Sequence, residues 1–296
     1  MAGDSSRTVL ITGATGTVGR RLAGELSKDH ASGRLRVLGA ARNEKGSTAL
    51  RTLGVEPVAF DFDDPSSIQA AVAGVDGLFL LTGYTVDMLS HCKLTLDAAR
   101  AAGVRQVVHL GAMAPQDPDL SILVWHEMVE RYVEWAGFDF THLRPNFFMQ
   151  TLVSGARRAK GRLFHFIGDV PVSWIDAEDV AAVAAAALRD PASHAGKTYQ
   201  LASEVLTVRE VAETLTEIVG VPFTYVARPI EEFLPILLKN GMEPAYAAGL
   251  AENTARIANK QNPVADAVFD NIEAITGRPA TTWRHFAEKN RSTLTY

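Results

Sequence analysis

The chain has 296 residues, of which 47% are hydrophobic, and a formal net charge of −5 at pH 7. This length suffices for one large domain, or for a domain with a second lobe, around a substantial buried core. The acidic balance, with Lys and Arg scattered along the chain, excludes a basic surface for nucleic acid or for an anionic membrane, and we expect no partner of either kind.

The single cysteine, Cys92, excludes an internal disulfide bond and a thiolate metal centre. No stretch reaches the roughly 20 apolar residues that a membrane helix needs, and the first residues lack the pattern of a signal peptide. The histidines are dispersed and show no metal-ligand spacing, so we expect no metal site. These features predict a soluble cytoplasmic protein.

Short apolar runs alternate with longer amphipathic segments in the first half of the chain. The predicted strands are 8–12, 35–41, 55–60, 77–82, 105–110 and 139–144, and the predicted helices are about 16–28, 43–53, 65–73, 86–102 and 122–136. Strands that are apolar on both faces and alternate with helices predict a parallel sheet covered on each side, which is a doubly wound α/β fold.

The alternation weakens after residue 144, and we divide the chain into a nucleotide-binding domain (1–150) and a smaller α/β substrate lobe (151–296). Asp176 has the character of an N-cap for an alanine-rich helix, and we expect about 170–190 to rejoin the first domain. Other predicted elements are strands at 170–174 and 197–202, a helix from Thr207 to Gly220, and helices near 230–240, 243–260 and 265–277. A basic cluster comprises Arg157, Arg158, Lys160 and Arg162.

The stretch ITGATGTVG places three glycines where the first predicted strand meets the first helix. Gly13 is suited to the turn, Gly16 to close approach of phosphates, and Gly19 to tight packing of helix on strand. The backbone amides and the positive end of the helix then face an anion such as a pyrophosphate. No Gly-Lys-Ser/Thr follows, which excludes a P-loop and favours a dinucleotide.

The end of the second strand distinguishes NADP from NAD, because a carboxylate there binds the ribose hydroxyls whereas an arginine accommodates the 2′-phosphate. The sequence there offers Arg42 and Asn43, with no carboxylate before Glu44. It therefore favours NADP(H) over NAD(H). In the stretch FDFDD, Asp61 is a candidate for the adenine amino group, and Asp63 or Asp64 is a better candidate for a helix N-cap before Pro65.

These residues resemble the NmrA-like group of atypical short-chain dehydrogenases/reductases, which includes quinone reductase-like and triphenylmethane reductase-like enzymes. The resemblance rests on GATGTVG (13–19), ARN (41–43), FDFDDPSSIQAAVAGVD (60–76), AGVRQVVHL (102–110), HEMVE (126–130), FTHLRPNFFMQ (140–150) and the C-terminal TGRPATTWRHFAEKN. It covers most of residues 8–220 and implies a Rossmann fold.

The resemblance also implies a set of cofactor contacts. The implied residues are Gly13, Thr15, Gly16, Thr17 and Val18 at the pyrophosphate, Arg42 and Asn43 at the 2′-phosphate, Asp61 and Phe62 at the adenine, Leu81, Thr82 and Gly83 along the cofactor, and Leu110, Gly111, Pro145 and Asn146 at the nicotinamide.

The catalytic set of typical short-chain dehydrogenases is missing. Gly111 and Ala112 stand where their serine is expected, and Tyr132 has no lysine four residues later. The helix instead carries His126 and Glu130 on one face. Either His126 donates a proton, with its pKa raised and its tautomer fixed by Glu130, or His126 only packs near the nicotinamide while Glu130 pairs with an arginine.

Aromatic and apolar residues near the expected carboxyl ends of the strands predict a roomy, largely apolar substrate pocket. The candidate walls are Tyr84, Met113, Trp125, Phe147, Phe148 and Trp174. We expect an NADPH-dependent oxidoreductase that transfers hydride to a small apolar carbonyl, quinone, imine or activated alkene. A cofactor-sensing regulatory protein without turnover is the alternative, and an isomerase or epimerase is a more distant one. The sequence leaves a monomer and a homodimer equally open.

Overall fold

The computed structural model describes residues 6–115, 119–155 and 159–296. Its strands are β1 (Arg7–Ile11), β2 (Leu35–Ala41), β3 (Glu56–Ala59), β4 (Gly77–Leu80), β5 (Gln106–Leu110), β6 (Asp139–Pro145), β7 (Phe147–Phe148), β8 (Arg162–His165), β9 (Val172–Ile175), β10 (Lys197–Leu201), β11 (Glu204–Leu206) and β12 (Thr224–Ala227). Its α-helices are α1 (Thr17–Ala31), α2 (Glu44–Thr52), α3 (Pro65–Val72), α4 (Met88–Ala101), α5 (Ser121–Trp135), α6 (Met149–Val153), α7 (Ala177–Arg189), α8 (Pro191–His194), α9 (Val208–Val219), α10 (Phe233–Lys239), α11 (Pro244–Ala258), α12 (Asn271–Thr276), α13 (Trp283–Lys289) and α14 (Arg291–Leu294).

Seven parallel strands form the central sheet in the order β10-β6-β5-β4-β1-β2-β3. Its inner strands are apolar on both sides, and every residue of β4 and β5 is buried. Such strands need a helical layer on each face. The predicted doubly wound α/β fold is therefore confirmed.

Helices cover both faces of this sheet. On one face α1 buries Val18, Leu22 and Leu26 beside the small residues of α7. On the other face α3, α4 and α5 pack against β1, β2, β4 and β5. Asp176 caps α7 by accepting a hydrogen bond from the Glu178 amide, as the sequence predicts. Since β10 pairs with β6, the chain after residue 150 also returns to the central sheet.

A second core lies beside the carboxyl ends of the central strands. It contains β7 and β11 on either side of β9, with α9 and α13 packed against them. Trp174 and Trp283 are its largest fully buried side chains. Thr207 and Glu210 form a capping box at the start of α9, and Gly220 ends the helix in a left-handed conformation. Both signals are readable in the sequence.

The prediction of a helix over 265–277 is wrong for its first half, since α12 spans only Asn271–Thr276. The carbonyl of Ala265 instead accepts hydrogen bonds from the Ser173 amide, at 2.8 Å, and from the Asn146 side chain, at 3.0 Å. The backbone at Ala265 is therefore hydrogen-bonded to the second lobe and does not form a helix. Short elements such as β7, β8 and β12 are absent from the prediction because they have too few residues to show a period.

Two of the predicted basic residues, Arg157 and Arg158, lie outside the described residues. Arg162 begins β8. In the described ranges, no helix combines the length and the apolar character that crossing a membrane requires.

Candidate cofactor and substrate site

The loop between β1 and α1, which contains Gly13 and Gly16, has the geometry of an anion-binding site. We call it the glycine cradle. Gly13 adopts φ +60°, and a Cβ on Gly19 would lie 2.2 Å from the Gly13 carbonyl oxygen. Gly16 is the N-cap of α1 and offers no side chain to the first turn. The amides of that turn have no intrahelical acceptor, so they are available to a phosphate.

The threonines of this loop, Thr15 and Thr17, are exposed, whereas the side chain of Val18 lies on the buried face of α1. The structure thus limits Val18 to a backbone contact with any ligand, because its side chain is part of the core.

Gly19 offers a sharp test of the cradle. We predict that Gly19→Ala lowers the free energy of unfolding by about 1–3 kcal/mol through overpacking, and weakens NADPH binding because the loop must shift. Gly24 in the same helix is the matched control, since a Cβ there meets nothing within 4 Å. Gly24→Ala should raise stability by roughly 0.5–1 kcal/mol and leave binding unchanged. Urea unfolding and NADPH titration of both variants measure this, and equal effects would contradict it.

Thr12, which sequence reasoning missed, joins the ends of β1 and β4. Its buried hydroxyl lies 3.0 Å from the carbonyl oxygens of both Phe79 and Leu81 and accepts from the Leu81 amide at 2.8 Å. The Leu81 side chain fills the space where a Cβ of Gly13 would lie, 3.0 Å away. The loop Leu81–Gly83 therefore begins directly against the glycine cradle, as a shared cofactor site requires.

The end of β2 presents a free guanidinium. Arg42 is exposed and makes no hydrogen bond to any described residue. Asn43 caps α2 by accepting from the Gly46 amide at 2.9 Å, and Glu44 is paired with Arg51 at 2.6 Å. The Thr15 methyl group lies 3.2 Å from the position of a Gly46 Cβ, so the start of α2 adjoins the glycine cradle.

Asp61 and Phe62 follow β3 at the same edge of the sheet. Asp61 accepts from the Asp63 amide at 3.2 Å, and Asp64 caps α3 before Pro65, as predicted. The Phe62 ring stacks on His91, with ring centres 5.1 Å apart. His91 was not a predicted site residue, and only the packing of α4 brings it here.

The ends of β5 and β6 meet beyond the sheet. The Gly111 amide donates to the Leu143 carbonyl, and the Met113 amide donates to the Pro145 carbonyl, each at 2.9 Å. Leu110 is buried beneath this junction. The side-chain Nδ2 of Asn146 donates to Ser173 Oγ at 2.7 Å and to the Ala265 carbonyl at 3.0 Å, so only the side-chain oxygen of Asn146 is left for a ligand.

The structure favours the second of the two roles considered for Glu130, an ion pair with an arginine. Glu130 is 3% exposed, and both of its oxygens accept from Arg144, one of them from Nε at 2.9 Å. Burial lowers the pKa of His126 to about 4, so the expected rise from Glu130 does not occur. Among the described residues, His126 Nδ1 has no hydrogen-bond partner.

Gly111 packs against this ion pair. A Cβ on Gly111 would lie 3.2 Å from Glu130 Oε1 and 3.3 Å from His109 Cε1. A serine at this position would therefore displace one of its neighbours. A cavity of about 270 Å³ adjoins the pair and is lined by Ala112, His126, Arg131 and Gln200 among others.

Two strand histidines that appear unrelated in sequence converge here. One ligand atom each from His109, His142 and Glu130 lie within 4.8 Å of one another, and all three residues are buried. Burial lowers the pKa of both histidines, to about 4 for His142. Because the Arg144 guanidinium already pairs with Glu130, a cation there would meet a like charge. The absence of a metal at this cluster stays a prediction.

The predicted substrate walls form two groups. Tyr84, which is 70% exposed, lies near Tyr246 of α11, whose ring centre is 5.6 Å away, and Trp125 lies 6.1 Å from Tyr246. The Val86 amide donates to Glu243 at 3.1 Å, which joins the loop after β4 to the start of α11. This group borders the cofactor loop 81–83.

The second group lies in the smaller lobe. Phe147 and Phe148 are half-buried, and Phe147 packs near His165, with ring centres 5.9 Å apart. Trp174 is 1% exposed, and its indole N–H donates to the Leu206 carbonyl at 2.9 Å. Its assignment as a pocket wall is wrong, because it packs in the core of the second lobe. Met113 is 6% exposed and presents little surface to a ligand.

The glycine cradle, the exposed Arg42 and the parallel sheet together define a dinucleotide-binding protein of the Rossmann type. The chain belongs to the NmrA-like family, whose model matches residues 5–286.

Comparisons with known proteins extend along almost the whole chain. It is 32% identical over 289 residues to the NAD(P)H azoreductase of Xenophilus azovorans, covering 95% of this chain and 96% of that one. It is 33% identical over 288 residues to (4-alkanoyl-5-oxo-2,5-dihydrofuran-3-yl)methyl phosphate reductase of Streptomyces griseus, covering 95% and 97%. The NADPH-dependent quinone oxidoreductase of Escherichia coli, solved with NADPH, superposes with a TM-score of 0.78 at 25% identity, covering 95% and 99%.

Proposed function

We propose that this protein is an NADPH-dependent reductase that transfers hydride to a small, largely apolar acceptor such as a carbonyl, quinone, imine or activated alkene. The three relatives compared above are reductases or oxidoreductases by name, and two of them are named for NAD(P)H or NADPH. This chain is an NAD(P)H-dependent reductase. The proposal concerns the class of acceptor that it reduces.

The observation that carries the proposal is the position of an aromatic group beside the cofactor loop. Tyr84 and Trp125 stand where the loop after β4 leaves the glycine cradle, and Tyr246, which is 4% exposed, lies behind both rings. Aromatic rings bury planar apolar ligands well, and pockets of α/β sheets open at this edge. We expect an apolar acceptor held there to reach the nicotinamide of bound NADPH.

The residues of this chain fit an NADP molecule. The uncapped first turn of α1 offers amides to the pyrophosphate, and Arg42, which is exposed and bonded to no described residue, offers its guanidinium to the 2′-phosphate. NADPH, when bound, supplies the hydride. Holding the acceptor close and in a fixed orientation is then the main task of the protein.

The experiment is a panel of acceptors, followed by consumption of NADPH and, in parallel, of NADH. Quinones, enones, imines and azo dyes should be reduced faster than charged or phosphorylated acceptors. Turnover confined to charged acceptors would contradict the apolar class, a real possibility to test because one relative is named for a phosphate ester. NADPH binding without reduction of any acceptor would instead favour the cofactor-sensing alternative.

His126 gives a prediction on pH dependence. A pKa of about 4 leaves its ring neutral at pH 7, so the ring can donate a hydrogen bond but not the proton of an imidazolium. We predict that kcat/KM shows no ionisation of His126 between pH 6 and 8. His126→Ala should lower kcat/KM by about 2- to 13-fold, the value of one hydrogen bond, rather than the 10²- to 10⁴-fold of a proton donor.

Steady-state rates from pH 5 to 9 measure this, with the exposed His285→Ala as the control histidine. An ionisation near pH 6.5 that disappears in His126→Ala would show that His126 acts as a cationic acid.

A further inference from the structure

A cavity of about 380 Å³ lies between α1 and α7 and shares no lining residue with the glycine cradle. Five of its lining side chains are cations and three are carboxylates, so positive charge is in excess. The cations come from α1, the turn before β2, the end of α7 and the segment after α12; they are Arg21, Lys28, Arg34, Arg189 and Arg278. Sites for small molecules have volumes of roughly 300–1,000 Å³. The cavity is therefore large enough for a small ligand.

The three carboxylates of the cavity already have cationic partners. The pairs are Asp29 with Arg34 and with Arg189, at 2.8 Å each, Glu25 with Arg189, at 3.2 Å, and Glu178 with Lys289, at 2.7 Å. Asp29 is buried beneath its two arginines. These pairs compensate Arg34 and Arg189. The positive charge that remains in the cavity belongs to Arg21, Lys28 and Arg278.

The Arg21 side chain has a donor without an acceptor. Its Nη1 donates to the Thr17 carbonyl at 2.7 Å, but its Nε is buried and has no hydrogen-bond partner among the residues that the structure describes. Glu178 lies 3.9 Å from this nitrogen, which is beyond hydrogen-bond distance. A buried donor that lacks an acceptor is destabilising. An oxygen atom of a ligand in the cavity would provide the missing acceptor.

Gly24 lies between Arg21 and Lys28 on the same side of α1, because residues three, four and seven apart share one side of a helix. Glycine in the middle of a helix is less favourable than alanine. A Cβ on Gly24 would meet no atom within 4 Å, so packing does not require a glycine here. The missing side chain instead keeps the cavity open between the two cations.

We propose that this cavity is a second ligand site, which binds a small molecule carrying at least two phosphoryl or carboxyl groups. The planar guanidiniums of Arg21 and Arg278 are each suited to two oxygens of one oxyanion. Arg21 and Lys28 are about 10 Å apart along the helix axis, so a ligand with two anionic groups can contact both. Because the glycine cradle is a separate site, this ligand binds at the same time as the cofactor.

Isothermal titration calorimetry of the full chain tests the proposal, with pyrophosphate and citrate as probes. NADPH is present in excess so that pyrophosphate does not enter the glycine cradle. We expect a single equivalent of probe to bind, with an affinity that falls as ionic strength rises. The probe that binds more tightly shows whether phosphoryl or carboxyl groups are preferred. Binding of neither probe, or binding that disappears when NADPH is added, overturns the proposal.

Two variants locate the bound probe. Arg278→Ala should weaken probe binding by about tenfold or more, since it removes hydrogen bonds between charged groups. Arg105→Ala is the matched control, because Arg105 is exposed and does not line the cavity. Gly24→Leu should abolish probe binding without any change of charge, because its side chain fills the space between Arg21 and Lys28.

The result is independent of the acceptor that the protein reduces. Circular dichroism and NADPH affinity, which should not change, verify that each variant is folded. If Gly24→Leu does not fold, Arg278→Ala decides the question. Probe affinity equal to that of the wild type in folded Arg278→Ala, or in folded Gly24→Leu, overturns the proposal.

Discussion

Arg42→Ala is expected to weaken NADPH binding by about 10- to 150-fold, because hydrogen bonds to a charged group contribute roughly 1.5–3 kcal/mol. NADH affinity should change by less than about threefold, because a surface substitution usually changes the free energy by no more than about 0.5 kcal/mol. The reason is that Arg42 is exposed at the end of β2 and makes no hydrogen bond to any residue the structure describes. Its guanidinium can therefore bind the 2′-phosphate without losing a partner. Titration of intrinsic fluorescence with each coenzyme measures both affinities.

Arg36→Ala is the matched control for this experiment. Arg36 lies on the same strand, but it is paired with Glu56 at 2.6 Å at the other end of β2. The substitution Arg36→Ala should change neither affinity, because Arg36 lies at the opposite end of β2 from Arg42. It should also cost little stability, since exposed ion pairs contribute only about 0–1 kcal/mol. Equal losses of NADPH and NADH affinity in Arg42→Ala would remove the argument for a phosphate contact. A salt titration adds a second check, because a phosphate contact weakens as ionic strength rises.

Glu130→Ala is expected to lower the free energy of unfolding by about 3 kcal/mol, the lower end of the range for breaking a buried ion pair. The lower end applies because a quarter of the Arg144 side chain remains exposed to solvent. The substitution leaves the Arg144 guanidinium without its carboxylate beside Gly111 and His109. Urea denaturation and the melting temperature measure the loss.

Two controls separate the ion pair from a general effect of substitution on α5. Glu127→Ala removes a half-buried acid of the same helix, 3.5 Å from Arg131, and should cost less than about 1 kcal/mol. The double variant Glu130→Met with Arg144→Met should recover most of the stability, because an apolar pair often replaces a buried ion pair at little cost. A double variant as unstable as Glu130→Ala would show that packing, and not the unpaired charge, causes the loss.

The local signals in the sequence were strong where one residue type satisfies one backbone requirement. Gly13 takes a left-handed φ, Gly19 allows a contact that no other residue permits, and Asp64 and Thr207 cap the helices that follow them. Each of these roles depends on neighbours within a few residues. The strands of the central sheet were readable for a similar reason, since burial on both faces requires continuous apolar runs.

The helix predicted over 265–277 shows where this local reasoning ends. Its residues have acceptable helical spacing, but the Ala265 carbonyl is bonded to Ser173 and Asn146 from distant parts of the chain. Trp174 shows the same limit for site residues. An aromatic side chain near the end of a strand fits a pocket wall and a core residue equally well, and only the packing of Trp283 and β11 against Trp174 decides.

The sequence by itself determined the doubly wound sheet, the glycine cradle after β1 and the position of an arginine at the end of β2, because glycines, caps and apolar periods act over a few residues. Only the tertiary structure decided that Glu130 pairs with Arg144, that His109 and His142 converge beside it, and that Trp174 is core. These contacts join residues from different strands and helices. Their distances depend on how the elements pack, and the order of residues along the chain does not encode that packing in any short pattern.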